Sequence, residues 1–165
     1  MLIVRRKCHA PAPPDVTLVM SFERRQHTRL RTTLADGEEI GLFLERGTSL
    51  RDGDLLAAED GRVVAVVAAE EELFEVRAGD GLALARAAYH LGNRHVVVEI
   101  APGRLRFPAN AIFADLLRGL GFEVTAVRAA FQPESGAYAA EGHLHAGDGR
   151  HAGVIHDFGT PDAHP

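Results

Sequence analysis

The sequence predicts an α+β chain: a small all-β N-terminal domain over residues 1–73, a β-α-β-β-α-β domain over residues 74–138, and a flexible histidine-containing tail over residues 139–165. Three observations predict it. Short apolar runs divided by Asp-Gly pairs fill the first half. Strand-like runs alternate with two helix-period segments in the second. From Tyr138 onward periodicity disappears, and Gly, Ala and His dominate.

The N-terminal elements follow in order. Residues 10–14, Ala-Pro-Ala-Pro-Pro, form a stiff lead-in. Residues 17–22 are apolar and read as extended. The runs at 30–34, 40–44, 55–58 and 63–67 read as further short strands. Between them stand Asp36-Gly37, Asp52-Gly53 and Asp60-Gly61. Asp and Gly both tolerate positive φ, so these pairs favour tight turns. The basic run of Arg24, Arg25, Arg29 and Arg31 is interrupted by Gln26, His27 and Leu30, which suits a solvated strand face better than a polyanion patch.

In the second block residues 73–77 read as a strand. Asp80 is placed to cap a helix carrying Leu82, Leu84, Ala85, Ala88, Tyr89 and Leu91, with Gly92 as its stop. Residues 96–100 are β-branched and predict a strand. A turn at 101–103 returns the chain through 105–107. Asn110 is placed to cap a second helix, whose apolar face is Ile112, Phe113, Leu116, Leu117 and Leu120, with Gly121 as its stop. Residues 124–127 close the block. This is the ferredoxin-like order. Two amphipathic helices on one face of four strands bury a workable small core.

Composition narrows the function. A net charge of −5 argues against general nucleic-acid binding, which needs a basic face. No apolar run approaches membrane-spanning length. The basic residues near Met1 have no apolar stretch after them, which argues against secretion. The single cysteine, Cys8, permits no intrachain disulfide and fits a reducing, cytoplasmic setting. Cys8 reads as a solvent-exposed bystander near a flexible terminus rather than a reactive thiol.

The candidate chemistry is metal binding. Five of nine histidines, His143, His145, His151, His156 and His164, fall in the tail. Imidazole suits zinc, copper or nickel at neutral pH. A polar, Gly-rich tail cannot build a rigid site alone, so it presents its ligands loosely, as a carrier of metal requires. His143 and His145, two apart, can point the same way in an extended chain. His90 reads first as a dipole contact in the last turn of a helix and second as a ligand. For His95, the residues alone leave a hydrogen-bonded histidine and a ligand equally open. One histidine does not hold a metal. A twofold dimer would bring two copies of His95 together, and the tail could supply further donors.

Enzyme signatures are weak or missing. His156-Asp157 lacks a second His-Asp set on a helix. No His-Glu-x-x-His, no phosphate-binding Gly-x-x-x-x-Gly-Lys and no Gly-x-Ser-x-Gly elbow occurs.

Four stretches resemble the urease accessory protein E family, the nickel metallochaperones of urease assembly. They are Ser-Phe-Glu-Arg-Arg-Gln at 21–26 with Arg29-Leu30-Arg31; Gly-Leu-Phe-Leu-Glu-Arg-Gly at 41–47 with Leu-Arg-Asp-Gly-Asp at 50–54; Ala-Tyr-His-Leu-Gly-Asn-Arg-His-Val at 88–96; and Leu-Arg-Gly-Leu-Gly at 117–121 with Phe-Gln-Pro-Glu-Ser-Gly-Ala-Tyr at 131–138. Gly-Asn-Arg-His at 92–95 is the most specific, and the resemblance covers about residues 16–140. It implies a peptide-binding-like N-terminal domain, a ferredoxin-like metal-binding domain and a homodimer joined through the latter. It implies that His95 is shared across the dimer axis and that His143, His145, His151 and His156 complete or feed the site. It implies Ni(II) as cargo and the urease accessory GTPase, with the urease activation complex, as partners. Many relatives carry histidines just before the second helix. Here residues 107–111 read Phe-Pro-Ala-Asn-Ala, so no peripheral site and fewer ions per dimer are expected.

The sequence therefore predicts a non-enzymatic nickel chaperone working by ligand exchange. Two alternatives are a general divalent-metal buffer or sensor, and a peptide-binding co-chaperone module with an incidental tail. Zinc and copper are expected to bind in vitro as well, because the residues do not select the ion.

Overall fold

The computed structural model describes residues 1–9 and 13–135. The expected tail, with His143, His145, His151, His156 and His164, lies outside them, as do residues 10–12 of the Pro-rich lead-in.

Each of the three Asp-Gly pairs of the N-terminal half places its glycine at positive φ: 89° at Gly37, 82° at Gly53 and 95° at Gly61. Two of the three close hairpins. β3 (Arg29–Thr33) pairs antiparallel with β4 (Glu39–Phe43) around Gly37, and β5 (Leu55–Ala58) with β6 (Val63–Ala68) around Gly61. With β1 (Leu2–Cys8) and β2 (Val16–Met20) they form a six-stranded mixed sheet of order β2-β6-β5-β1-β4-β3, in which β1–β4 and β2–β6 are parallel. Alternation sets the buried face: Val64, Val66 and Ala68 of β6 are buried, as are Leu18 and Met20 of β2. All of these but Ala68 join Leu2, Val4, Ile40, Leu42, Leu50 and Leu56 in one core.

Three N-terminal expectations need correction. β1 was not foreseen, although it is a central strand. Its first half alternates, burying Leu2 and Val4, while Arg5 and Lys7 reach Glu59 and Asp54 at 2.5 and 2.7 Å. Cys8 is accordingly the half-buried last residue of β1, paired with Leu55, and not an exposed residue of a loose terminus. Phe22 is not extended. Ser21 caps a single helical turn, α1 (Phe22–Arg25), by accepting from Arg24 N–H. That turn carries Arg25 inward, so the basic run is not wholly a solvated face: Arg24, Arg29 and Arg31 are exposed, and Arg25 is fully buried.

The second sheet has the expected order. β7 (Glu70–Arg77), β8 (Glu99–Ala101), β9 (Arg104–Pro108) and β10 (Val124–Ala130) pair antiparallel as β10-β7-β9-β8. Two helices, α2 (Gly81–Gly92) and α3 (Ala111–Gly119), pack on one face. Their N-caps are Asp80 and Asn110, each accepting at 2.9 Å from the amide two residues on. Ala87, Leu91, Ala114 and Leu117 meet Val76, Leu105 and Phe107 in a second core. Gly121, at φ 89°, turns the chain away after α3.

The strand expected over 96–100 is shorter, beginning at Glu99. By the β8–β9 register, Val97 would face Pro108, which has no N–H to give. Val98 spends its carbonyl elsewhere, accepting from Glu134 N–H at 2.8 Å.

Candidate metal centre

The last turn of α2 carries His90, and the loop from α2 to β8 carries His95, the two described candidate ligands. α2 runs through Gly92, contrary to the expected stop, and Asn93 is its C-cap. The left-handed residue that ends the turn is His95, at φ 56°. It is the one non-glycine residue with positive φ among the described residues. A left-handed backbone disfavours any residue with a Cβ, though Asn, Asp and His tolerate it better than most. Two backbone bonds hold it there: His95 N–H to Gly92 carbonyl at 2.9 Å, and Val96 N–H to Leu91 carbonyl at 3.2 Å. Arg94 Nη1 reaches back to the carbonyl of His90 at 2.8 Å, satisfying a helix-end acceptor.

The turn leaves His95 exposed, standing clear of the core. His90 is half-buried in the last turn of α2, edge-on to Tyr89 at 5.4 Å between ring centroids. In the same stretch of chain the large apolar side chains of Tyr89, Val97 and Ile100 are exposed, Tyr89 to 65%. Among the described residues no three His, Cys, Asp or Glu side chains gather as a metal cage. His95 therefore has no completed ligand set within one described chain. The stretch before α3 supplies none either, since the Asn110 side chain is occupied as the helix cap.

Sequence reasoning missed the role of Arg25. Its guanidinium Nη1 donates to Gln132 Oε1 at 2.6 Å and Nη2 donates to the Phe131 carbonyl. The Arg25 carbonyl accepts from Leu50 N–H at 2.9 Å, and Phe22 N–H binds Glu71 Oε1 at 2.7 Å. Phe131 is buried, edge-on to Phe22 at 5.6 Å. Burial pulls the Arg25 pKa below its ordinary value, and the carboxylates of Glu71, Asp52 and Asp54 pull it back. Described parts of three of the four stretches that carried the resemblance, 21–26, 50–54 and 131–135, thus meet where the domains join. The signal in the sequence was Ser21, whose capping geometry turns Arg25 inward.

Two family models divide the chain between them. The N-terminal domain of the UreE urease accessory protein matches residues 3–69, and its C-terminal domain matches residues 71–160. The chain belongs to the UreE urease accessory protein family. It is 52% identical to the urease accessory protein UreE of Alkalilimnicola ehrlichii over 138 residues, covering 84% of this chain and 85% of that one. It is 47% identical to the same protein of Dechloromonas aromatica over 175 residues, covering 96% and 98%. With that of Azotobacter vinelandii it shares 46% over 165 residues, covering 97% and 99%. The C-terminal match extends past His156 and stops short of His164. No described helix is long and apolar enough to cross a membrane.

Proposed function

We propose that this UreE-family chain carries Ni(II) to urease during assembly of its metal centre, as a non-enzymatic cytoplasmic homodimer. The observation that carries the reading is His95: a histidine held at left-handed φ and exposed, in a stretch of chain where Tyr89, Val97 and Ile100 are exposed too. A lone histidine is a poor metal site, but a twofold axis passing near it would bring two together and bury those apolar neighbours. His143, His145, His151 and His156 then supply the exchangeable donors, with His90 as a secondary candidate.

The mechanism is ligand exchange. Neutral imidazoles take nickel, and the ion leaves when a partner offers a better donor set. The accessory GTPase and the urease activation complex are the proposed recipients. Protons compete for histidine ligands, so affinity falls as pH drops through about 6.5, the ordinary imidazole range.

The test is transfer. Nickel-loaded protein is mixed with apo-urease and its accessory GTPase under limiting free nickel, and urease activity is followed. Wild type activates and His95→Ala does not. Equal activation by both would refute the role given to His95.

A further inference from the structure

The end of α2 shares out its carbonyls in a way that singles out Arg94. In a continuing α-helix the amide of residue 94 would bond the carbonyl of His90, four residues back. Here the turn tightens, and Arg94 N–H bonds the Leu91 carbonyl at 2.9 Å instead. His95 N–H then bonds the Gly92 carbonyl, and Val96 N–H the Leu91 carbonyl. This pair of bonds closes a helix end whose left-handed position is normally a glycine. His95 takes that position, at φ 56°, although a Cβ disfavours it. Val96 packs against the core that contains Leu91, which fixes where the chain leaves the turn.

The tightening orphans the His90 carbonyl, and the Arg94 side chain takes it: Nη1 donates at 2.8 Å. One acceptor thus serves two competing arrangements. With the helix continued, the Arg94 amide would occupy it, and residue 95 would follow the helical path. With the left-handed turn closed, the Arg94 guanidinium occupies it. The side chain therefore adds its bond to the closed turn alone, and offsets part of what the left-handed φ of His95 costs.

We propose that Arg94 is a positioning residue for the metal: its guanidinium, bonded to the His90 carbonyl, selects the turn in which His95 stands exposed as a ligand. The inference rests on the reading of His95 as a nickel ligand. The charge of Arg94 works in the opposite direction. A guanidinium adjacent to the ligand repels a bound dication, so as a mere cation Arg94 would weaken binding. Position and charge therefore predict opposite signs when the side chain is removed.

The experiment is nickel titration by calorimetry of Arg94→Met and Arg94→Lys in the full chain, and of Arg94→Met combined with His95→Ala. Arg94 is exposed, so the fold tolerates these substitutions, and circular dichroism follows it. One hydrogen bond lost corresponds to about two- to tenfold in affinity. Arg94→Met weakens tight nickel binding by that factor, and Arg94→Lys, which keeps one donor, recovers part of it. Combined with His95→Ala, Arg94→Met leaves the remaining nickel binding unchanged. Equal or tighter binding by Arg94→Met overturns the proposal. An equal loss with and without His95 overturns it too, because Arg94 would then act elsewhere. If His95→Ala binds nickel like the wild type, the reading of His95 falls and this inference with it. If His95→Ala loses the tight event and Arg94→Met keeps it, this inference alone falls.

Discussion

Glu75 Oε2 accepts from Arg106 Nε at 2.7 Å, on the sheet face away from the helices, and both side chains are largely buried. Arg77 Nε takes the other oxygen at 2.6 Å, and Arg106 continues to Glu99 at 3.4 Å. Burial works to raise the Glu75 pKa, but the hydrogen bonds from Arg106 and Arg77 outweigh it and hold the carboxyl below its ordinary value of 4.5. Because Glu99 also binds Gln132 N–H, this network underlies the strand edge that leads to His95.

The first prediction is a pH dependence. A carboxylate whose folded-state pKa is depressed adds stability that is full above its unfolded value and is lost as pH falls through the folded one. Urea midpoints of the wild type should therefore fall as pH drops below about 4.5, the ordinary value at which Glu75 begins to differ between the two states. Glu75→Gln should lower stability at pH 7 by about 1–3 kcal/mol and flatten that acid limb. An acid limb as steep in Glu75→Gln as in wild type would show that other carboxylates carry it.

His95 separates folding from function. Its left-handed φ of 56° costs a residue with a Cβ about 1 kcal/mol, which glycine avoids. His95→Gly should melt at or slightly above the wild-type temperature while losing tight nickel binding. A clear drop in melting temperature would mean the imidazole has a packing role that its exposure does not suggest.

Asn110 tests the expected absence of a peripheral site. Its side chain accepts from Ile112 N–H at 2.9 Å as the α3 cap. Asn110→Ala should cost about 1 kcal/mol in urea unfolding and leave nickel stoichiometry unchanged. A lost ion would place metal at this helix start.

Phe131 anchors the domain junction. It is buried, edge-on to Phe22, and ahead of Gln132. Phe131→Ala should cost about 3 kcal/mol and loosen the two domains from each other, visible as a larger radius of gyration in solution scattering. Loss of stability without expansion would mean that the Arg25 contacts alone hold the junction.

What the sequence disclosed follows the range of the forces involved. The Asp-Gly turns and the caps Asp80 and Asn110 are local, because a backbone angle and a hydrogen bond two residues away decide them. The helix faces repeat within a few turns, and with the strands they give the order of the second domain. Arg25 was misread because its partners, Phe131 and Gln132, lie more than a hundred residues away. β1 was missed because three basic residues hide the alternation of Leu2 and Val4, and its neighbours β4 and β5 come much later in the chain. The strand at 96–100 was drawn too long because β-branched residues say nothing of Pro108 across the register. Gly-Asn-Arg-His marked the loop in which we propose the metal ligand, while the left-handed φ of His95 was invisible to composition or spacing.

The measurement that bears most directly on the central claim is nickel titration by calorimetry, with mass detection of the assembly, on wild type, His95→Ala and a chain ended at Ala140. Shared coordination by His95 with help from the tail predicts that His95→Ala abolishes the tight event and truncation only weakens it. It also predicts that the metal is found on a dimer. Normal nickel binding by His95→Ala would contradict it and place the metal in the tail alone.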